Sequence, residues 1–82
     1  MKTYLITFSQ TSQAIRGEGL LLDRGLSVKV IPLPSQIGAG CGICFRIQAS
    51  ELEEAGHCLR EAGIEDIGIY EKTPKGYKEI ER

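Results

Sequence analysis

"VKVIPLPSQIGAGCGICFRI", residues 28–47, holds two runs of β-forming residues with no helical stretch between them. In the first, Val28 and Val30 face one way and Lys29 and Ile31 the other; in the second, Ile43, Phe45 and Ile47 alternate with Cys44, Arg46 and Gln48. Pro32 and Pro34 stop the first run, because proline cannot donate to a strand ladder. Two strands in direct succession at mid-chain limit the topologies the flanks can complete.

The flanks are two similar halves. "TYLITFS" (3–9) alternates as a strand, and "TSQAIRGEGLLLDRG" (11–25) follows as a helix. That helix opens on hydroxyl and amide residues suited to capping and closes at Gly25; its stripe of Ala14 and Leu21 includes Gly17, which permits close approach. Beyond residue 48, "SELEEAGHCLREAG" (50–63) carries a capping box of Ser50 with Glu53, and its apolar face is Leu52, Ala55, Leu59 and Ala62. "EDIGIYE" (65–71) is a further strand. The last stretch, "KTPKGYKEIER", is charged and broken by Pro74 and Gly76, and reads as a loosely docked tail.

The order is therefore β-α-β-β-α-β. Right-handed crossovers on one antiparallel sheet give an α+β, ferredoxin-like sandwich of four strands with both helices on one face. Residues 1–72 form the single domain and residues 73–82 the tail. The other face, with Leu5, Ile31, Cys44 and Arg46, must be wetted, covered or paired, and it could join two chains as a homodimer. This fold hosts many activities, so it assigns none.

Composition narrows the classes. With 82 residues, 41 % apolar and 26 % charged, and a formal charge of −1, the chain reads as an ordinary globular domain without the basic patch of a nucleic-acid or anionic-membrane binder. The apolar alternation at the N-terminus ends by Phe8, too short for a secretory signal, and no stretch approaches the ~18–20 apolar residues of a membrane span. The expected compartment is the cytoplasm, where three cysteines are thiols rather than a disulfide framework.

The chemistry concentrates in the connection between the two central strands, about twice the ~2–5 residues a hairpin requires. Cys41 sits at its landing point between Gly40 and Gly42. Successive N–H groups in such a turn can form an anion-attracting nest that favours a thiolate, and the bare glycines leave room for a bulky reaction partner. The bland alternative is a turn in which Cys41 is a small filler. A Cys41–Cys44 redox pair fits poorly: extended at ~3.3 Å per residue, the two Cα atoms lie about 10 Å apart with side chains on opposite faces. A disulfide needs them within ~7 Å. Cys44 reads as an exposed-face strand residue. His57 and Cys58 diverge by about 100° on their helix, so a zinc set with the cysteine pair fits worse still; His57 reads as solvated and Cys58 as the edge of the core. No hydrolytic triad, paired carboxylates or phosphate loop is present.

With "GLSVKVIPLP", the "GCG" of the loop, Arg46 and the closing "AGIEDIGIYE" in place, residues 3 to 71 resemble the selenium/sulfur carrier protein-like family. The specific part is the string from Pro34 to Arg46; the departures from the family's usual loop are Ser35, Gln36, Gly38 and Ala39. The resemblance implies that Cys41 is the carrier thiol, supported by Gly40, Gly42, Cys44 and Arg46, with no role assigned to Arg46. A carrier of this kind holds a persulfide, or its selenium equivalent, and is not a turnover enzyme. It takes its cargo from a cysteine desulfurase or other donor protein and gives it to an acceptor protein, with no cofactor and no metal. The alternatives are a non-catalytic ligand-binding or regulatory module and, third, a CxxC thiol-disulfide protein.

Overall fold

The computed structural model describes residues 2–38 and 40–81, with the Glu81 side chain excepted. The elements run β1 (Thr3–Phe8), α1 (Thr11–Asp23), β2 (Lys29–Pro32), β3 (Ile43–Gln48), α2 (Ala49–Glu61), β4 (Ile67–Thr73) and β5 (Gly76–Glu81). All strand pairs are antiparallel, in the spatial order β2-β3-β1-β4-β5. The result is an α+β fold of two helices and a five-stranded sheet.

The first four strands and both helices lie where the alternation and the 3.6-residue period put them. The fifth strand corrects the expectation of four strands and a loosely docked tail. Pro74 and Lys75 are the two residues of a tight hairpin, with Thr73 opposite Gly76 and the Thr73 hydroxyl donating to the Gly76 carbonyl at 3.2 Å. The proline and glycine that look like breakers thus reverse the chain, and "GYKEIE" pairs back on β4. Arg82, the last residue of the expected tail, lies outside the described residues.

One face of the sheet carries Ile6, Phe8, Phe45, Ile47 and Ile67, which pack with Ala14 and Leu21 of α1 and Ala55, Cys58 and Leu59 of α2. Phe8 and Phe45 meet with ring centroids 4.7 Å apart in a tilted pair. A Cβ on Gly17 would stand 2.9 Å from Leu59 Cδ2, so the two helices approach there because α1 has no side chain at that turn. Both helices stop in the same way. Leu26 N–H donates to Leu21 O and Gly25 N–H to Leu22 O; Ile64 N–H donates to Leu59 O and Gly63 N–H to Arg60 O. These are Schellman closures on left-handed glycines. The starts differ from expectation. Gln10 and Gln48 are the N-caps, neither helix has a side-chain cap, and Ser50 lies inside α2 rather than in a capping box with Glu53.

The opposite face has a smaller core of its own. Leu5, Cys44 and Tyr70 are covered by Ile31 of β2, Leu33 and Ile37 of the β2–β3 connection, and Tyr77 of β5. A turn closed by Ile37 N–H on Pro34 O brings this connection over the sheet, and the Gln36 amide lies 3.8 Å from where a Cβ on Gly76 would stand. The long connection is a strap across the helix-free face.

Candidate functional site

Cys41 lies where the strap rejoins the sheet. Its N–H donates to Phe8 O at 2.9 Å, which ties the loop to the end of β1, and Leu33 N–H donates to Gly42 O at 2.9 Å, which closes the base of the strap. Gly40 has φ +141° and Gly42 φ +97°, regions where a side chain would be strained, so the sequence "GCG" is required by the backbone on both sides of the thiol. Both glycines are exposed and Cys41 is half-buried. The Cys41 thiol donates to Ile43 O across 3.7 Å. The Cys41 N–H is spent on Phe8 O, so it does not contribute to the anion nest expected from the sequence.

The three cysteines are free and sit in different surroundings. Cys41 packs against the margin of the helix-side core, whereas Cys44 is fully buried in the small core under the strap. The expected opposite-face placement holds, but the expected exposure of Cys44 does not: Leu33, Ile37 and Tyr77 cover a face that the sequence left open. Burial pushes the Cys44 thiol up to about 11, with the neighbouring Cys41 a lesser cause. Cys58 is buried in the main core. His57 is exposed beside Glu61, at 3.4 Å, on the outer side of α2. Among the described residues no group of three or more metal-ligating side chains converges.

Cys44 and Arg46 belong to β3 rather than to the loop, and Arg46 is exposed on the helix-free face. Ala39, one of the departures from the usual loop, lies outside the described residues. Beside Gly40 a cleft of about 180 Å³ runs along the end of the sheet between Phe8, Asp66, Gly68 and Glu79. Sequence reasoning missed this cleft, which forms where the end of β1, Gly40, the start of β4 and Glu79 of β5 meet. It also missed the strap, although Leu33 and Ile37, two large apolar residues in a loop of prolines and glycines, are a signal that the loop packs against something.

The chain matches the family described as "Putative Se/S carrier protein-like" over residues 3–71. It belongs to that family. The matched segment ends within β4, so β5 lies beyond the part of this Se/S carrier-like chain that the match covers. No curated protein and no solved structure matched. No helix among the described residues is long and apolar enough to cross a membrane.

Proposed function

We propose that this Se/S carrier-like protein carries sulfur, or selenium in the equivalent state, on Cys41 and passes it between partner proteins in the cytoplasm. The observation that supports this most is the contrast among three free thiols: Cys41 alone is open to solvent, on a turn whose flanking positions have no side chains. In loading, the Cys41 thiolate attacks the terminal sulfur of a donor persulfide. A Cys41–S–SH bond forms, the donor's S–S bond breaks, and the donor leaves as its thiolate. Delivery is the same exchange with an acceptor thiolate attacking the terminal sulfur and Cys41 leaving. Neither step needs a general acid built into this chain, only access and a good leaving thiolate.

The test is intact-mass spectrometry after incubation with a cysteine desulfurase and cysteine, wild type beside Cys41→Ser. The expected result is a gain of one or more sulfur atoms on the wild type, released by reductant and absent from the variant. No gain, with Cys41 alkylated no faster than glutathione, favours a second reading, a ligand-binding or regulatory module in which Cys41 is structural. The two hydrogen bonds that hold Cys41, to Phe8 O and Ile43 O, are the observation on that side.

A further inference from the structure

Lys29 of β2 and Arg46 of β3 are directly opposite in the antiparallel register, hence on the same face, with Cβ atoms ~4.5–5.5 Å apart. Both are exposed, and neither side chain makes a hydrogen bond or ion pair among the described residues. Like charges directly opposite each other destabilise a strand pair. They flank a concavity of about 450 Å³ whose wall combines the hydroxyl and amide groups of Thr3, Ser27 and Gln48 with the apolar Val28 and Ile47. The nearby acid on α2, Glu51, is occupied by Ser27 N–H at 3.2 and 3.3 Å. β2 is the edge of the sheet, so the concavity is open from the side.

We infer that the Lys29–Arg46 pair is a docking site for an acidic, extended segment of a protein that exchanges cargo with Cys41. The inference rests on the carrier reading for its partner and on charge complementarity for its chemistry. Two unpaired cations side by side are complementary to carboxylates, and arginine binds a carboxylate in bidentate fashion. Arg46 is five residues beyond Cys41, so at most roughly 16–18 Å of chain separates them. A partner covering a standard patch of about 800 Å² on this chain spans both, so the cations orient the protein whose cleft receives the thiol. Arg46, which the sequence singled out without a role, is a positioning residue here and not a reacting one.

The probe is an oligoglutamate peptide titrated into the full chain and followed by backbone amide NMR, with inorganic phosphate and anionic phospholipid vesicles as separate arms. The expected result is saturable shifts at Ser27–Lys29 and Arg46–Gln48, weakened about tenfold or more by Arg46→Glu and abolished at high salt. Comparable shifts with phosphate alone, or with vesicles in preference to the peptide, overturn the inference. So do shifts spread evenly over Lys72, Lys75 and Lys78. Lys29→Glu guards against a folding artefact: it replaces repulsion with an opposite-charge pair, so Tm at low salt rises by ~3 °C while peptide binding falls. No rise means there is no repulsion to relieve, and the premise fails. Loading of Cys41 by inorganic polysulfide, read by mass in the same variants, separates the two readings. Loading without peptide binding sinks the docking site alone, and docking without loading sinks the carrier.

Discussion

Cys44 couples burial to proton chemistry at a single atom. Its thiol is pushed from 9.0 to about 11, so the neutral form is retained in the folded chain at a pH where the unfolded chain has ionised. The sign follows from that order. The stabilisation is fully present below about pH 9 and is lost as pH rises toward 11, because only the unfolded state gains from losing the proton. Two units correspond to about 2–3 kcal/mol. Chemical denaturation of the wild type is expected to show this alkaline decline, and Cys44→Ala to lack that portion of it. At neutral pH the same burial makes Cys44 slow to alkylate while Cys41 reacts, which peptide mapping after a short iodoacetamide pulse checks. Gly17 is a second case of one atom deciding a sign. Gly17→Ala places a methyl 2.9 Å from Leu59, whereas Gly19→Ala, one half-turn on, meets open space. The helix preference for alanine therefore appears only at residue 19, as a gain of about 0.5–1 kcal/mol, and is offset at residue 17 by overpacking of about 1–3 kcal/mol.

Among the elements, the strap and β5 matter most for the site, and they cooperate. Leu33 and Ile37 come down from one side and Tyr77 across from the other, and between them they close the second core over Cys44. Shortening either cover opens it. Ile37→Ala or Tyr77→Ala is expected to raise the alkylation rate of Cys44 by about an order of magnitude, since ~1.4 kcal/mol of lost cover is a tenfold change in an opening equilibrium. Cys41 labelling is expected to be unchanged, because its anchors, Phe8 O and Ile43 O, lie outside the cover. The same two elements were the hardest to read in the sequence. Strands β1 to β4 and both helices follow from alternation and period alone, and the helix ends from Gly25 and Gly63. "TPKGYKEIER" resists because a proline, a glycine and five charged residues look like solvated chain; only the pairing with β4, a tertiary fact, gives Tyr77 an apolar partner. Cys41 stood out between its glycines, whereas the protection of Cys44 required contacts between segments far apart in the chain.

At the scale of the whole molecule the sheet divides the protein into two unequal cores, and its two edges are treated differently. The β5 edge carries Lys78 and Glu79, charges that discourage pairing with another sheet. The β2 edge is four residues long, ends in Pro32, and carries Lys29 opposite Arg46 of β3, the two cations of the proposed docking site. Net charge is only −1, so the asymmetry that would steer a partner is local and not global. Deleting residues 74–82 tests how far the larger core stands alone. It is expected to leave a folded chain of lower Tm with Cys44 rapidly modified, since Tyr77 goes while the helix-side packing stays.

The burial of Cys44 under the strap, while Cys41 stays at the margin of the helix-side core, also fixes a kinetic order. A protein with two neighbouring thiols can resolve an oxidised sulfur by itself, in a first-order step that ignores what surrounds it. Here one of the three thiols is reachable and the other two are buried, so whatever adduct forms on Cys41 persists until a thiol from another molecule collides with it. Its lifetime is set by the concentration of its neighbours.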